Sequence, residues 1–415
     1  MKHDQSALEC SHIPLGLEHS VRSRLAEKDK YFAAASIYAS IEAAFAHWED
    51  VPNLVHADMF KAYLEALAGC ETRFDFFRET RRYLATFCNS HTTYFDERLF
   101  ETGEHGFGLL ARRIGSEWVV THSTHDDISP GTAILTIEDC PARDFLAPFN
   151  QFISASRSQD RDYRVWRQPY FFPSPLRLTL DDGESAQLEK QAWSEAPPAV
   201  SSSVVGSTPS ITIRSFEEPA FEDAALSFVT ANKDSPALVI DIRGNGGGDT
   251  PIRLIRALMN IDYPSWKEAT PLRMGVDVAI EHMERLATLR AADRPNATYS
   301  WSARLNRPDD AAYRGKLFIL HDIGTASAAE DFLMPFKVTG RATLIGETTS
   351  GSSGQPLIVR PFDKAVFTVG AKREIFPNGD QFEGRGIAPD IAVRLNREDI
   401  SKHRDAALDE LKAVI

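Results

Sequence analysis

Four things are scarce in this chain of 415 residues, and each scarcity excludes a class. Cysteine occurs four times, at Cys10, Cys70, Cys88 and Cys140, with no C-x-x-C pair. That density is too low for a disulfide scaffold, and the four are expected to be reduced and mostly buried, Cys88 as a small core residue. No apolar run reaches the ~18 residues that would cross a bilayer. The opening text, MKHDQSALECSHIPLG, has neither an apolar h-region nor a small-residue cleavage site, so the expected location is cytoplasmic, with no membrane partner. Positive charge is also in deficit: 46 Lys and Arg against 59 Asp and Glu leave a formal charge of -13, which repels a phosphate backbone. Nucleic acid is therefore not expected as a partner. The composition, 43% hydrophobic and 25% charged, is that of a folded globular protein, and its length suggests roughly two to three folding units.

What is present changes character along the chain. From about Leu17 to Phe87 apolar residues recur at spacings of three and four (Tyr31, Ile37, Ile41, Phe45, then Phe60, Tyr63, Leu64, Leu67), the period of helices packing on one face. Residues 1–100 are expected to form an N-terminal helical domain. Between Gly106 and Leu188, short β-type runs (107–111, 117–122, 132–137, 176–180) alternate with turn signals such as Ser129-Pro-Gly and Asp181-Asp-Gly, predicting a β-rich domain over 101–195. The Pro- and Ser-rich text of 196–209 reads as a linker. From Ser210 onward strands and helices alternate, which predicts an α/β core over 210–415 with buried, largely parallel strands and a site at their carboxyl ends.

Two stretches in that core carry chemistry. Lys316-Leu-Phe-Ile-Leu-His-Asp-Ile-Gly-Thr-Ala-Ser327 reads as a buried strand, a tight loop and a helix start. A serine there lies among free backbone N–H groups, Ala328 next to it, that can stabilise a developing oxyanion, although an ordinary capping serine is written the same way. Ala237-Leu-Val-Ile-Asp-Ile-Arg-Gly-Asn-Gly246-Gly247-Gly248 is a second strand emptying into a glycine turn, whose N–H groups can face a ligand. It lacks the Lys-Ser/Thr of a phosphate-binding loop. His321, six residues before Ser327, is one candidate for the base that a serine nucleophile needs. His122-x-x-His125-Asp-Asp has no third ligand at a sensible spacing, so no metal or other cofactor is expected.

At these loops the sequence resembles the tail-specific, or C-terminal processing, serine peptidases, a family that also contains the tricorn core protease. The matching text is Asp241-Ile-Arg-Gly-Asn-Gly-Gly-Gly, Gly324-Thr-Ala-Ser-Ala-Ala-Glu-Asp-Phe, Gly340-Arg-Ala-Thr-Leu-Ile-Gly-Glu-Thr and Phe382-Glu-Gly-Arg-Gly-Ile-Ala-Pro-Asp-Ile, with Asn89-Ser-His-Thr upstream. The resemblance implies an α/β, crotonase-like core with an N-terminal helical bundle and a PDZ-like insertion, the last matched loosely by Gly131-Thr-Ala-Ile-Leu-Thr-Ile-Glu-Asp-Cys. It implies a peptide or protein substrate, with assembly states in the family ranging from monomers to rings.

One departure separates the branches. Processing peptidases place a lysine base in Gly-Lys-Gly about 25 residues after the serine, and here that text is Glu347-Thr-Thr-Ser-Gly-Ser352-Ser-Gly, without lysine. The tricorn-like arrangement, a histidine following a serine upstream plus a downstream glutamate, is matched by Ser90-His91 and Glu383. By this resemblance Ser327 is the nucleophile and His91 the base. Ser90 orients the imidazole, and Glu383 completes the set directly or through Ser352, with Asp380 and Glu347 as rival carboxylates. Ala328, Gly246 and Gly247 supply the oxyanion donors. Two other readings keep the fold: a non-proteolytic ligand-binding module, and a hydrolase of small esters or modified peptides.

Overall fold

The computed structural model describes residues 23–100, 106–191, 197–271 and 298–415. Cys10 and the expected start of the helical region at Leu17 lie outside them.

Helices α1 (Glu27–Ala44), α2 (His56–Ala68) and α3 (Arg73–Ala85) form where the three-and-four spacing places them. The third starts at a capping box, in which Thr72 accepts from the Asp75 N–H and the Asp75 carboxylate takes the Thr72 N–H at 3.1 Å. Strand β1 (Thr93–Asp96) then leaves this region and pairs antiparallel with a strand from the other end of the chain.

The following segment folds as an antiparallel sheet in the order β2-β3-β4-β5-β6, with β2 Leu109–Ile114, β3 Glu117–Ser123, β4 Ala133–Ile137, β5 Leu176–Leu180 and β6 Ser185–Leu188. Helices α4 (Ala142–Leu146) and α5 (Ser158–Val165) interrupt it. One continuous apolar cluster runs from Ile37, Phe45 and Phe77 of the helical region to Phe145, Phe171 and Leu178 of this segment and on to Phe367 and Val369. The helical and β-rich regions therefore share one core.

The stretch expected as a linker departs from that expectation. Val200–Val205 is a strand, β7, in antiparallel register with β8 (Thr208–Ile213). Val200, Val204 and Val205 favour extended backbone, and the three serines point to solvent from an edge strand that packs little, so the composition read as loop.

The core is built on a six-stranded sheet. After β8 come α6 (Pro219–Ala231), β9 (Ala237–Asp241), α7 (Ile252–Leu258), β10 (Lys316–His321), α8 (Ala328–Thr339), β11 (Thr343–Gly346), β12 (Pro356–Val359), β13 (Ala365–Gly370), β14 (Ile391–Ala392) and α9 (Ala406–Val414). The order is β14-β11-β10-β9-β8-β7, parallel from β14 to β8. Alternate residues of β9 and β10 face opposite ways. Leu238, Ile240, Leu317 and Ile319 join the cluster under the helices, while Val239, Phe318 and Leu320 meet Ala407 and Leu411 of α9. Covered on both faces, these strands read as unbroken apolar runs. The chain is thus a mixed α/β protein. A three-stranded sheet, β1-β13-β12, ties the N-terminal region to the core, with Thr93 opposite Thr368.

Two cysteine expectations fail. Cys88 is exposed rather than a core residue, because it ends the turn after α3 with φ 48°, a conformation that lifts it off the core. Cys140 is disulfide-bonded, so the four are not all reduced thiols. Among the described residues no helix is long and apolar enough to cross a membrane.

Candidate active site

The parallel sheet ends in two loops that meet. Ser327 stands at the N-terminus of α8 with φ 56° and ψ -128°, a strained backbone for a side chain of any size. What holds it there is a set of fixed contacts. Its N–H donates to the Ser352 carbonyl at 2.9 Å, and the Ala326 N–H donates to the Asn245 carbonyl at 2.9 Å. Gly247 leans on the same turn, for a Cβ added to it would lie 2.7 Å from Ser327 Cβ and 3.0 Å from the Ala328 nitrogen. With φ 108°, only glycine serves at 247.

The glycine loop is in turn pinned. Asn245 donates to the Ile213 carbonyl at 3.0 Å and accepts the Gly247 N–H at 2.9 Å. Asp322 Oδ1 accepts from the N–H groups of Gly244 at 2.8 Å and Gly324 at 2.9 Å, joining the two strand-end loops. Arg243 pairs with Asp241 and with Asp405 of the C-terminal helix cap. Because the Gly247 N–H is committed to Asn245, the donors left facing the serine differ from the expected set. Among the described residues the N–H groups of Gly246 and Ala328 are bonded to no acceptor.

His91 arrives from 236 positions upstream and sits with Nε2 3.2 Å from Ser327 Oγ. Its Nδ1 lies 2.9 Å from Ser352 Oγ. The segment is fixed by Asn89, whose Oδ1 accepts the His91 N–H at 3.1 Å and the Thr92 hydroxyl at 3.0 Å, and by Thr92, which accepts the Gly370 N–H of β13. Burial, with nearby His47 and Arg164 adding to it, pulls the imidazole down to about 4. At neutral pH the ring is uncharged and can take a proton.

Glu383 is buried, with Oε1 accepting from Asn89 Nδ2 at 2.9 Å and from Ser156 Oγ at 2.7 Å. Burial pushes its carboxyl up, opposed by the charge of His47 and by the hydroxyls of Ser156 and Ser352. Asn89, Ser156 and Ser352 thus gather around one carboxylate.

Ser90 is placed differently from its expected part. Its Oγ accepts the Ser156 N–H at 3.0 Å and meets Ser156 Oγ at 3.3 Å, so it touches the Glu383 shell rather than the imidazole. The partner of Nδ1 is Ser352 instead. The alternative base His321 is fully buried at the end of β10, and its ring nitrogens make no hydrogen bond with Ser327. The rival carboxylates also lie elsewhere, Glu347 in a two-pronged ion pair with Arg112 at 2.8 and 2.9 Å, and Asp380 with Asn378.

Two residues of this site escaped the sequence reading. Ser156 follows no motif and lies in an irregular stretch between β4 and β5, just before α5, so no local signal marks it. Glu330, three residues after Ser327, was readable. Its fully buried carboxyl accepts from Thr349, Gly351 N at 2.8 Å, Ser352 N at 3.1 Å and Ser327 N at 3.2 Å, clamping the loop of Ser352 to the turn of Ser327. Burial pushes that carboxyl up to about 8 against the pull of these donors. The Ser327-x-x-Glu330 spacing of a capping box at the helix start was the available clue.

Comparison with known proteins agrees with this architecture. Residues 208–393 match the model of peptidase family S41. Over 218 residues, 52% of this chain, it is 28% identical to the chloroplastic C-terminal processing peptidase of Tetradesmus obliquus, and spans 41% of that relative's length. The crystal structure of mature CPAF superposes with a TM-score of 0.71, covering 93% of this chain and 96% of that one at 13% identity. The photosystem II D1 C-terminal processing protease gives 0.52, with 92% and 99% covered at 16% identity. At such identities the two structures speak for the fold. Over residues 208–393, therefore, the chain is similar to peptidase family S41.

Proposed function

We propose that the chain is a serine peptidase that hydrolyses peptide bonds through an acyl-enzyme. One observation carries the reading: a single imidazole lies within hydrogen-bond distance of the hydroxyl of a strained serine on one side and of Ser352 on the other. Ser327 Oγ attacks the peptide carbonyl carbon and its proton passes to His91 Nε2. The N–H groups of Ala328 and Gly246 hold the oxyanion. His91 then protonates the departing amine nitrogen as the C–N bond breaks, and a water molecule, deprotonated by the same ring, cleaves the ester. Ser352 receives the Nδ1–H and Glu383 lies behind it, so the imidazolium charge is met through a hydroxyl.

The finer features belong to the same proposal. The base is the histidine of the tricorn-like arrangement and not a lysine. The sheet of residues 210–415 is a crotonase-like core, the N-terminal helices are a bundle carrying His91, and the sheet of residues 106–191 is a PDZ-like insertion that can take a peptide strand. The substrate is a peptide or protein, cut near its carboxyl end or internally. The cytoplasmic location expected from the sequence stands against the disulfide at Cys140, which fits an oxidising compartment.

The test is labelling with a fluorophosphonate and hydrolysis of peptide and ester panels. Wild type labels at Ser327, and Ser327→Ala and His91→Ala each abolish turnover with the melting temperature kept. A fully active His91→Ala enzyme removes the assigned base, and an unlabelled wild type favours a ligand-binding module.

A further inference from the structure

A second carboxylate of α8 gathers groups around the nucleophile. Asp331 follows Glu330, and its N–H donates to the Ser327 carbonyl at 3.1 Å, so it stands one helical turn below the serine. Its Oδ2 accepts the Thr250 hydroxyl at 2.7 Å. Its Oδ1 accepts the Ser353 hydroxyl at 2.7 Å and the Trp266 Nε1–H at 3.0 Å. Donors from three segments thus end on one side chain, and a carboxylate suits them because both of its oxygens accept.

Each segment carries part of the site. Thr250 ends the glycine loop, which is stiff between it and Gly246: the Phe216 N–H donates to the Gly247 carbonyl at 2.8 Å, and the Asp249 N–H to the Phe216 carbonyl at 2.9 Å. A shift of Thr250 is thereby passed to Gly246, one of the two oxyanion donors. Ser353 is buried and adjoins Ser352, the partner of His91. Trp266 is buried and packs on Phe382 with ring centroids 4.7 Å apart, and Phe382 adjoins Glu383. Glu330 does a different job. It clamps the serine turn to the Ser352 loop, and among the described residues none of its hydrogen bonds reaches the glycine loop.

We propose that Asp331 is a positioning residue, which holds the oxyanion donor of Gly246, through Thr250, and the relay of Ser352, through Ser353, in register with Ser327. The inference rests on the catalytic reading of those residues. Asp331 itself touches no reacting atom. A misplacement of about 1 Å in a catalytic group is enough to cost roughly a hundredfold in rate, so loosening two loops at once is felt in the chemistry before it is felt in the fold.

The experiment measures the second-order rate of fluorophosphonate labelling of Ser327 in the full chain, with the final labelled fraction and a thermal melt for each variant. The phosphonyl oxygen of the probe takes the place of the oxyanion, so the rate reports the loop of Gly246. Asp331→Ala slows labelling about a hundredfold while the final labelled fraction stays near that of wild type. Thr250 is exposed, so Thr250→Val keeps the shape, loses the hydroxyl and leaves the core alone. Thr250→Val and Ser353→Ala each slow labelling about tenfold, and Thr250→Ser restores the rate. Because both hydroxyls act through Asp331, neither change slows labelling further in the Asp331→Ala background.

A purely structural role would lower the labelled fraction and the melting temperature and leave the rate of the remaining sites unchanged, which overturns the proposal. Full additivity of Thr250→Val with Asp331→Ala also overturns it. Should Asp331→Ala not fold, the two Thr250 variants decide: a loss confined to valine supports the proposal, and equal rates in valine and serine overturn it. If wild-type Ser327 does not label, the catalytic reading falls and this inference with it. If it labels and every variant labels at its rate, this inference alone falls.

Discussion

His91 Nδ1 lies 2.9 Å from Ser352 Oγ, so a hydroxyl stands where a carboxylate often meets a catalytic imidazole directly. Ser352 is buried, and its N–H is fixed by Glu330 at 3.1 Å. The hydroxyl therefore has a set orientation and can select the tautomer that leaves Nε2 free to accept. Ser352→Ala removes that selection and separates Glu383 from the ring. Labelling of Ser327 and peptide turnover are expected to fall about a hundredfold, the scale of losing an outer partner of a catalytic group, with the fold unchanged in a thermal melt. A Ser352→Ala enzyme at wild-type rate would show that Glu383 reaches His91 by another path.

The depressed titration of His91 sets the pH range. A base with an ordinary histidine pKa loses function below about 6.5, whereas His91, pulled down to about 4, is expected to stay neutral well below that pH. Ser327 labelling should persist through pH 5 to 6 and fall as pH drops through about 4. Stability falls with pH in the same direction but begins to fall at a higher pH. The unfolded ring takes a proton near the ordinary value and the folded ring does not, so this group's contribution is full above that value and declines as pH falls towards about 4. Labelling rates and urea midpoints across pH 4 to 8 check both limbs, and a rate that halves near 6.5 would contradict the buried environment.

The strands of the core and the two loops around Ser327 were legible because parallel strands covered on both faces must be apolar throughout, as Leu238, Val239 and Ile240 are, and because glycine turns have few other uses. The edge strand 200–205 was not, since a strand with one poorly packed neighbour shows no burial pattern to read. The pairing of His91 with Ser327 came from a family likeness, for no periodicity relates residues 236 positions apart. Its physical cause appears only in three dimensions, where β1 and β13 pair Thr93 with Thr368 and bring the N-terminal segment across the core. The role expected of Ser90 went to Ser352 because adjacent residues in an irregular segment point to different sides, and sequence does not say which side carries the ring.

Gly247 is the position where backbone and chemistry constrain each other most tightly. An alanine there meets Ser327 Cβ at 2.7 Å and the Ala328 nitrogen at 3.0 Å, besides a φ of 108° that disfavours any side chain. The turn must move, and with it the hydroxyl and the proposed oxyanion donors. Gly247→Ala is expected to lower kcat/KM at least a hundredfold, comparable with losing one oxyanion donor, and to cost about 1–3 kcal/mol of stability from backbone strain. Gly246→Ala, where an added Cβ meets nothing within 4 Å, is the control and should fold with wild-type stability. Equal activity loss in the two would mean that the clash is not what matters.

Arg112 of the β-rich sheet grips Glu347 with two parallel hydrogen bonds, 2.9 Å from Nη1 and 2.8 Å from Nη2. Glu347 opens the loop that carries Ser352, so this pair links the β-rich region to the orientation of His91. Both side chains are largely removed from water, at 19% and 25% exposure, and forked charge-assisted pairs of this kind are stronger than surface ones. Arg112→Gln and Glu347→Gln should each slow turnover more than they lower the melting temperature. The double variant should lose less than the sum, with an interaction energy of about 1–3 kcal/mol in stability and a matching coupling in kcat. Additive effects on kcat would mean that the loop holds Ser352 through the Glu330 clamp alone, and that docking of the β-rich region contributes nothing to the geometry of the base.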